Sequence, residues 1–269
     1  EGINAVMNRA VAYAGTAKAA VDIACHDILG KAAGLPLYKL LGGLSNTIET
    51  DMTVGIDTPE LMAAAAKEHV AAGFRVIKTK VGTNIADDIA RVKAIREAVG
   101  DDVKIRLDAN QGWHAREAVE LLKRLNEYDI ELVEQPVRRF DFEGLKYVTA
   151  NSPVPVMADE SCWDSKDALR LVSERAVDFI NIKLMKCGGL WEAKKIVNIA
   201  EAAGVEIMLG CMAEESGIAI NAAAALGAAL GNITRADLDA SFSLKALPYE
   251  GGFTIENTKD LVLSENPGL

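Results

Sequence analysis

Two lysine sites, Lys78-Thr79-Lys80 and Lys183 within Asn181-Ile182-Lys183-Leu184, bracket three acids in the chain: Asp108, Glu134 and Asp159. Amines on both sides of a carbon can take a proton from one face and return it to the other. The acids between them offer only oxygen, the donor set of a hard divalent cation such as Mg²⁺ that keeps water or substrate oxygen in its shell. Zinc, which prefers nitrogen and sulfur, does not suit this set. A single such acid reads as a salt-bridged rim residue. Three in succession, flanked by lysines, point to an ion.

These residues need elements that bring them together. From about residue 50 onward, apolar runs of strand length alternate with amphipathic stretches of helix length, the pattern of βα units around a parallel sheet. Candidate strands fall at 48–54, 74–81, 103–108, 130–134, 154–159, 179–184, 205–209 and 233–238. Helices are predicted over 59–72, 84–99, 115–128, 166–175 and 190–203, with caps such as Thr58 before Pro59 and Asp164-Ser165 before Lys166. Eight strands make the fold class α/β, a (β/α)₈ barrel of the TIM type, in which chemistry gathers at the C-terminal strand ends. Lys78 and Lys80 close the second strand, Asp108 the third, Glu134 the fourth, Asp159 the fifth, Lys183 the sixth, and Asp237 with Asp239 the eighth. Strand alternation puts Lys78 and Lys80 on one side, and likewise Asp237 and Asp239. Strands two and six of an eight-stranded barrel are half a circumference apart, so Lys80 and Lys183 are expected to face each other across its mouth.

Lys78-Thr79-Lys80, the segment Arg106-Leu107-Asp108-Ala109-Asn110-Gln111-Gly112-Trp113, Val133-Glu134-Gln135-Pro136, Asp159-Glu160-Ser161 and Asn181-Ile182-Lys183 with Gly188-Gly189 together resemble the enolase superfamily, muconate lactonizing enzyme subgroup. Superfamily sites of this kind use a lysine or histidine base with Mg²⁺ stabilising an ene-diolate. The resemblance implies Asp108, Glu134 and Asp159 as metal ligands, Asn110 and Glu160 supporting them, and Lys80 with Lys183 as the acid/base pair. It implies one Mg²⁺ per site, with Mn²⁺ as the alternative ion. The pairing has a physical basis, because a proton α to a carboxylate leaves a second negative charge behind, which a divalent ion neutralises. The base must act as a neutral amine, and a free lysine has a pKa of about 10.4. Lys78, on the same face, disfavours a second ammonium and so reads as a tuner and substrate contact.

Asp237-Leu238-Asp239 resembles the Asp-x-Asp motif of the dipeptide epimerases in this subgroup, where two acids hold the substrate's α-ammonium group. Paired acids opposite a metal suit a dipeptide, which is cationic at one end and anionic at the other. Taken alone, the two acids read as partners of Arg235 or of loop lysines. The segment 208–216 also resembles the epimerases, with Cys211 and Met212 lining the pocket or the core. The expected activity is inversion of the C-terminal residue's α-carbon, with Ala-Glu as the default dipeptide. The rivals are o-succinylbenzoate synthase, N-acylamino acid racemase or muconate cycloisomerase chemistry on the same scaffold, or a catalytically silent truncated barrel.

The resemblance implies a capping domain ahead of the barrel. Residues 1–46 read as linking helices from that domain, itself largely absent from this chain; 47–240 as the catalytic barrel; and 241–269, with Pro248 and Gly251-Gly252, as a closing segment. The 269 residues suit one barrel. A net charge of -10 argues against nucleic acid or an anionic membrane as partner and leaves a small-molecule dipeptide, with a homo-oligomer open. No apolar run reaches membrane-spanning length, and the alanine-rich 218–230 reads as a packed barrel helix. Cys25, Cys162, Cys187 and Cys211 lack metal or redox spacing, so free thiols and a cytoplasmic location are expected. His26, His69 and His114 read as packing residues, and Gly188-Gly189 as a tight turn at least as readily as a phosphate cradle.

Overall fold

The computed structural model describes residues 1–243 and 252–269, so Pro248 and Gly251 of the closing segment lie outside the described residues. In chain order the elements are α1 (Gly2–Ala10), α2 (Gly15–Ala33), α3 (Leu37–Leu41), β1 (Thr47–Glu49), β2 (Met52–Val54), α4 (Pro59–Ala72), β3 (Val76–Lys80), α5 (Ile85–Val99), β4 (Lys104–Asp108), α6 (Ala115–Leu125) and β5 (Ile130–Glu134). There follow α7 (Phe142–Asn151), β6 (Val156–Ala158), α8 (Ser165–Ser173), β7 (Phe179–Ile182), α9 (Leu184–Cys187), α10 (Leu190–Ala203), β8 (Glu206–Gly210), α11 (Gly217–Ala229), β9 (Ile233–Asp237), β10 (Phe253–Glu256) and β11 (Asp260–Leu263). Strands β2 to β9 form one eight-stranded sheet in chain order, alternating with helices, and the fold is α/β of the (β/α)₈ type.

The expected strand at 48–54 is in fact two. β1 pairs antiparallel with β11 in a three-stranded sheet, whereas β2 pairs parallel with β3. The two residues between them explain the break. The Thr50 N–H donates to Lys259 O at 3.0 Å, and the Asp51 carboxylate takes the Arg106 guanidinium at 2.7 Å, so neither continues one ladder.

The chain divides into two compact units. One comprises Asp51–Cys162 and Arg170–Ile180. Its strands carry a near-solid apolar interior in which Ile77, Ile105, Leu107, Leu132 and Val133 are fully buried, as both faces of a parallel sheet require. The expected Thr58 cap is present, its hydroxyl accepting Leu61 N–H at 3.4 Å, and Asn84, expected inside the next helix, caps it instead by accepting Asp87 N–H at 3.0 Å. Buried Arg96 satisfies four loop carbonyls, those of Gly100, Val103, Tyr128 and Asp129. Those carbonyls belong to the turns that lead into β4 and β5.

The other unit comprises Glu1–Thr50, Trp163–Leu169 and Asn181–Leu269. In it β8 and β9 run parallel, with Gly210 opposite Asp237. Helix α11 is apolar all round and buried along almost its whole length, the packed helix expected from its alanines. No helix among the described residues is long and apolar enough to cross a membrane. The Gly188-Gly189 turn, at φ +89 and +115, is already closed by a carboxylate. Asp22 accepts the Trp191 N–H at 3.2 Å, and a Cβ on Gly189 would stand 2.4 Å from the Asp22 Oδ2. The tight-turn reading therefore accounts for these glycines.

Candidate active site

The first cluster lies at the C-terminal ends of β3 to β6. The ladder pairs Lys80 with Asp108 and Asp108 with Glu134, so strand register alone sets these side chains side by side. Asp159 follows β6 by one residue, with 2% of its surface exposed, while Asp108 and Glu134 are fully shut off from solvent. Buried carboxylates need a counter-charge. Lys78 supplies it, with its Nζ 3.1 Å from Asp108 Oδ2 and 2.7 Å from Glu134 Oε2. Lys80 reaches the same Asp108 Oδ2 at 2.6 Å and donates to Asn110 Oδ1 at 3.0 Å. Burial alone would push the Asp108 carboxyl up; the ammonium groups of Lys78 and Lys80 outweigh it and hold the group below the usual carboxylate range. Glu160 behaves in the opposite way. Burial, then the charges of Asp159 and Asp108, raise it.

Asn110 ties the cluster together. Held at φ +40, it donates its N–H to Asp108 Oδ1 at 3.0 Å and its side-chain amide to Glu160 Oε1 at 3.4 Å. Lys78, Lys80, Asp108, Asn110, Glu134, Asp159 and Glu160 thus all belong to one unit.

The second cluster belongs to the other unit and gathers Lys183, Cys211, Met212, Asp237 and Asp239. Lys183 stands one residue past β7 as the N-cap position of the short helix α9. Cys211 N–H donates to Asp237 O at 3.0 Å, and its thiol lies 3.8 Å from Asp239 Oδ1. Burial, followed by the charges of Asp237 and Asp239, pushes that thiol up, so it stays a neutral lining group. Met212 is 37% exposed at the rim. Arg235 pairs with Glu206.

Residues 61–269 match the family described as Enolase C-terminal domain-like, and residues 1–42 match the Mandelate racemase / muconate lactonizing enzyme N-terminal domain. This chain belongs to the enolase superfamily. Among its relatives, a hydrophobic dipeptide epimerase of Enterococcus faecalis is 58% identical over all of this chain and 76% of its own length. An L-Ala-D/L-Glu epimerase of Clostridium acetobutylicum is 48% identical over 94% of this chain and 71% of its own length. A crystal structure of the Enterococcus faecalis dipeptide epimerase, complexed with Mg and the dipeptide L-Leu-L-Tyr, superposes with a TM-score of 0.95 over 98% of this chain and 74% of that one. The enolase-superfamily members among these relatives are epimerases, and the enzyme class is isomerase.

The donor set fits the hard cation of such an enolase-superfamily site, being all oxygen, buried and on neighbouring strands. Among the described residues no three acidic, histidine or cysteine side chains close around one point. Instead the ammonium of Lys78 stands between Asp108 and Glu134 as the local cation.

Two supports within this enolase-superfamily fold carried no role in the sequence reading. Gln135, at φ +38, accepts the N–H groups of Asp159 and Ser161 on its Oε1, both at 3.0 Å. Its amide nitrogen donates to Val137 O at 2.9 Å and Ser161 Oγ at 2.8 Å. It therefore fixes the backbone that carries Asp159. Buried Asp88 accepts from Gly82 N–H at 3.0 Å, Thr83 N–H at 3.2 Å and Trp113 Nε1 at 3.1 Å, locking the loop after Lys80 to the loop after Asp108. A buried glutamine before a proline was a usable signal for the first. Asp88 looks like any first-turn helix acid.

Proposed function

We propose that this protein is a Mg²⁺-dependent epimerase that inverts the α-carbon of a dipeptide's C-terminal residue by transferring a proton between two lysines, Lys80 and Lys183. The observation that carries this reading is the division of labour at Asp108. Lys78, 2% exposed, is enclosed between Asp108 and Glu134, whereas Lys80 contacts Asp108 with 29% of its side chain still open. An enclosed ammonium serves as a counter-charge; an accessible one can exchange protons with a substrate. Asp108, Glu134 and Asp159 would hold the ion, which when bound offsets the charge that grows on the substrate carboxylate as its α-proton leaves. Asp237 and Asp239 grip the dipeptide's ammonium group, and Cys211 and Met212 line the pocket beside them.

For the substrate, the relative at 58% identity is named for hydrophobic dipeptides and the one at 48% for L-Ala-D/L-Glu. We take a hydrophobic dipeptide as the first choice, ahead of the Ala-Glu expected from sequence. Residues 1–42 match the family's N-terminal domain, and we read 1–46 as its lead into a catalytic barrel of 47–240, with 241–269 as the closing segment. Four free cysteines and a net charge of -10 suit a cytoplasmic enzyme whose partner is a small molecule.

The test is incubation of the protein with Mg²⁺ and a dipeptide library in heavy water, read by mass spectrometry. Deuterium at the C-terminal residue's α-carbon, with appearance of the other epimer, is the expected result. No label on any dipeptide would refute the reading. Equal rates for N-acetylated and free dipeptides would favour the N-acylamino acid racemase rival, whose substrates carry no ammonium group.

A further inference from the structure

Among the buried carboxyls that the proposed reaction leaves unused, one lies just past the strand end that Lys183 crosses. Glu215, in the loop between β8 and α11, is only 5% exposed. Its Oε2 accepts the Met212 N–H at 2.8 Å, which holds the side chain folded back on its own loop. Its Oε1 is buried with no hydrogen-bond partner. A carboxyl oxygen closed off from water and left without a donor is costly unless a positive charge or a proton compensates it.

The positive charge that bears on this carboxyl is Lys183. The lysine reaches toward the same loop, because a Cβ on Gly210 would lie 3.0 Å from Lys183 Cε and 2.6 Å from Asn181 Oδ1. Only the missing side chain at Gly210 lets Lys183 lie across the end of β8, a few residues before Glu215. Burial raises the Glu215 carboxyl above its ordinary value, with the Met212 N–H and then the charge of Lys183 pulling the other way. The charges of Asp237 and Asp239, at the neighbouring strand end, and of Glu215 all act on the thiol of Cys211.

We propose that Glu215 is a positioning residue for Lys183, supplying the counter-charge that stabilises the lysine while it carries a proton. This role rests on Lys183 being one of the two acid/base groups. Lys183 must be neutral when it removes a proton and charged when it returns one, so a partner that shifts this balance acts on the pH dependence of both directions. Lys80 has Asp108 at 2.6 Å, and Glu215 acts on Lys183 through its charge.

The experiment measures kcat/KM against pH for both epimers of one dipeptide, with the parent protein and Glu215→Gln. The amide keeps an acceptor for Met212 N–H and removes the charge. The limb set by Lys183 is expected to move to lower pH by about one unit. That is the acid limb for the epimer whose proton Lys183 removes and the alkaline limb for the other, while the limbs set by Lys80 stay in place. Glu215→Leu, an apolar replacement suited to a buried position, must give the same shift and serves if the amide variant does not fold. Limbs unchanged in an active protein, or all limbs moving together, overturn the role of Glu215 alone. A parent protein that exchanges no α-hydrogen overturns the epimerase reading and this role with it.

Discussion

Lys78 and Lys80 differ by two positions and carry the same charge, yet their surroundings assign them separate work. Removing the Lys78 amine as Lys78→Met leaves Asp108 and Glu134 buried without their shared cation, a change expected to cost about 3–5 kcal/mol of stability. Chemical denaturation reads this directly, and an unchanged midpoint would show that the two carboxylates do not depend on Lys78. Lys80→Ala is expected to spare stability and to slow epimerisation by about a thousandfold. One epimer should still exchange its α-hydrogen with solvent through Lys183. Exchange lost equally from both epimers would mean that Lys80 does more than serve one face. At the other end of the substrate, Asp239→Asn is expected to lower kcat/KM for free dipeptides by about 10- to 100-fold, the worth of one charge-assisted contact, while calorimetry finds Mg²⁺ affinity unchanged. The same loss for an N-acetylated dipeptide would detach Asp239 from the ammonium group.

At the level of the element, helix α2 is fastened to α10 by one carboxylate, and that junction titrates. Asp22 accepts Asn4 Nδ2 at 2.8 Å as well as Trp191 N–H, and His26 Nδ1 lies 3.3 Å from its Oδ2. Burial would raise the Asp22 carboxyl, but His26 and Asn4 bring it down. Burial would lower His26, but the Asp22 carboxylate raises it. The raised histidine gives stability that is full below its ordinary value and is lost as pH climbs through its folded value. The lowered acid gives stability that is full above its ordinary value and is lost as pH falls through its folded value. The pair is therefore strongest between about pH 4 and 6.5. His26→Gln should lower the melting temperature by about 2 °C at pH 5.5 and by less at pH 9. An equal loss at both values would exclude the ion pair as the cause. The elements themselves were largely legible, because alternating apolar patterns and caps such as Thr58 are local signals. The strand at 48–54 was misread as one because the partners of Thr50 and Asp51 lie far along the chain, at Lys259 and Arg106. Asp108, Glu134 and Lys80 were legible as strand ends, whereas Gln135 and Asp88 act through contacts between loops that no spacing announces.

Across the whole molecule, acids outnumber bases by ten, and the cluster at β3 to β6 shares the excess on a small scale. Asp108 meets Lys78 and Lys80 and Glu134 meets Lys78 within 4 Å, and the charges of Asp159 and Asp108 bear on Glu160 beside them. A folded chain that concentrates carboxylates in this way binds a divalent cation where the unfolded chain, with its acids dispersed, does not, so the ion stabilises the fold by mass action. At Mg²⁺ a hundredfold above its dissociation constant the gain is about 2.7 kcal/mol, a rise in melting temperature of about 6 °C for a chain of this size. Lys78 competes for the same oxygens, so the ion must either displace its ammonium or turn Asp108 and Glu134 away from it. Glu134→Gln removes one proposed ligand and an anchor of Lys78 together, and should abolish the Mg²⁺-dependent rise while leaving a folded protein. Calorimetric scans of the parent and Glu134→Gln, each with Mg²⁺ and with chelator, make the comparison. A parent protein that melts at one temperature under both conditions would remove the cation from the account of this site.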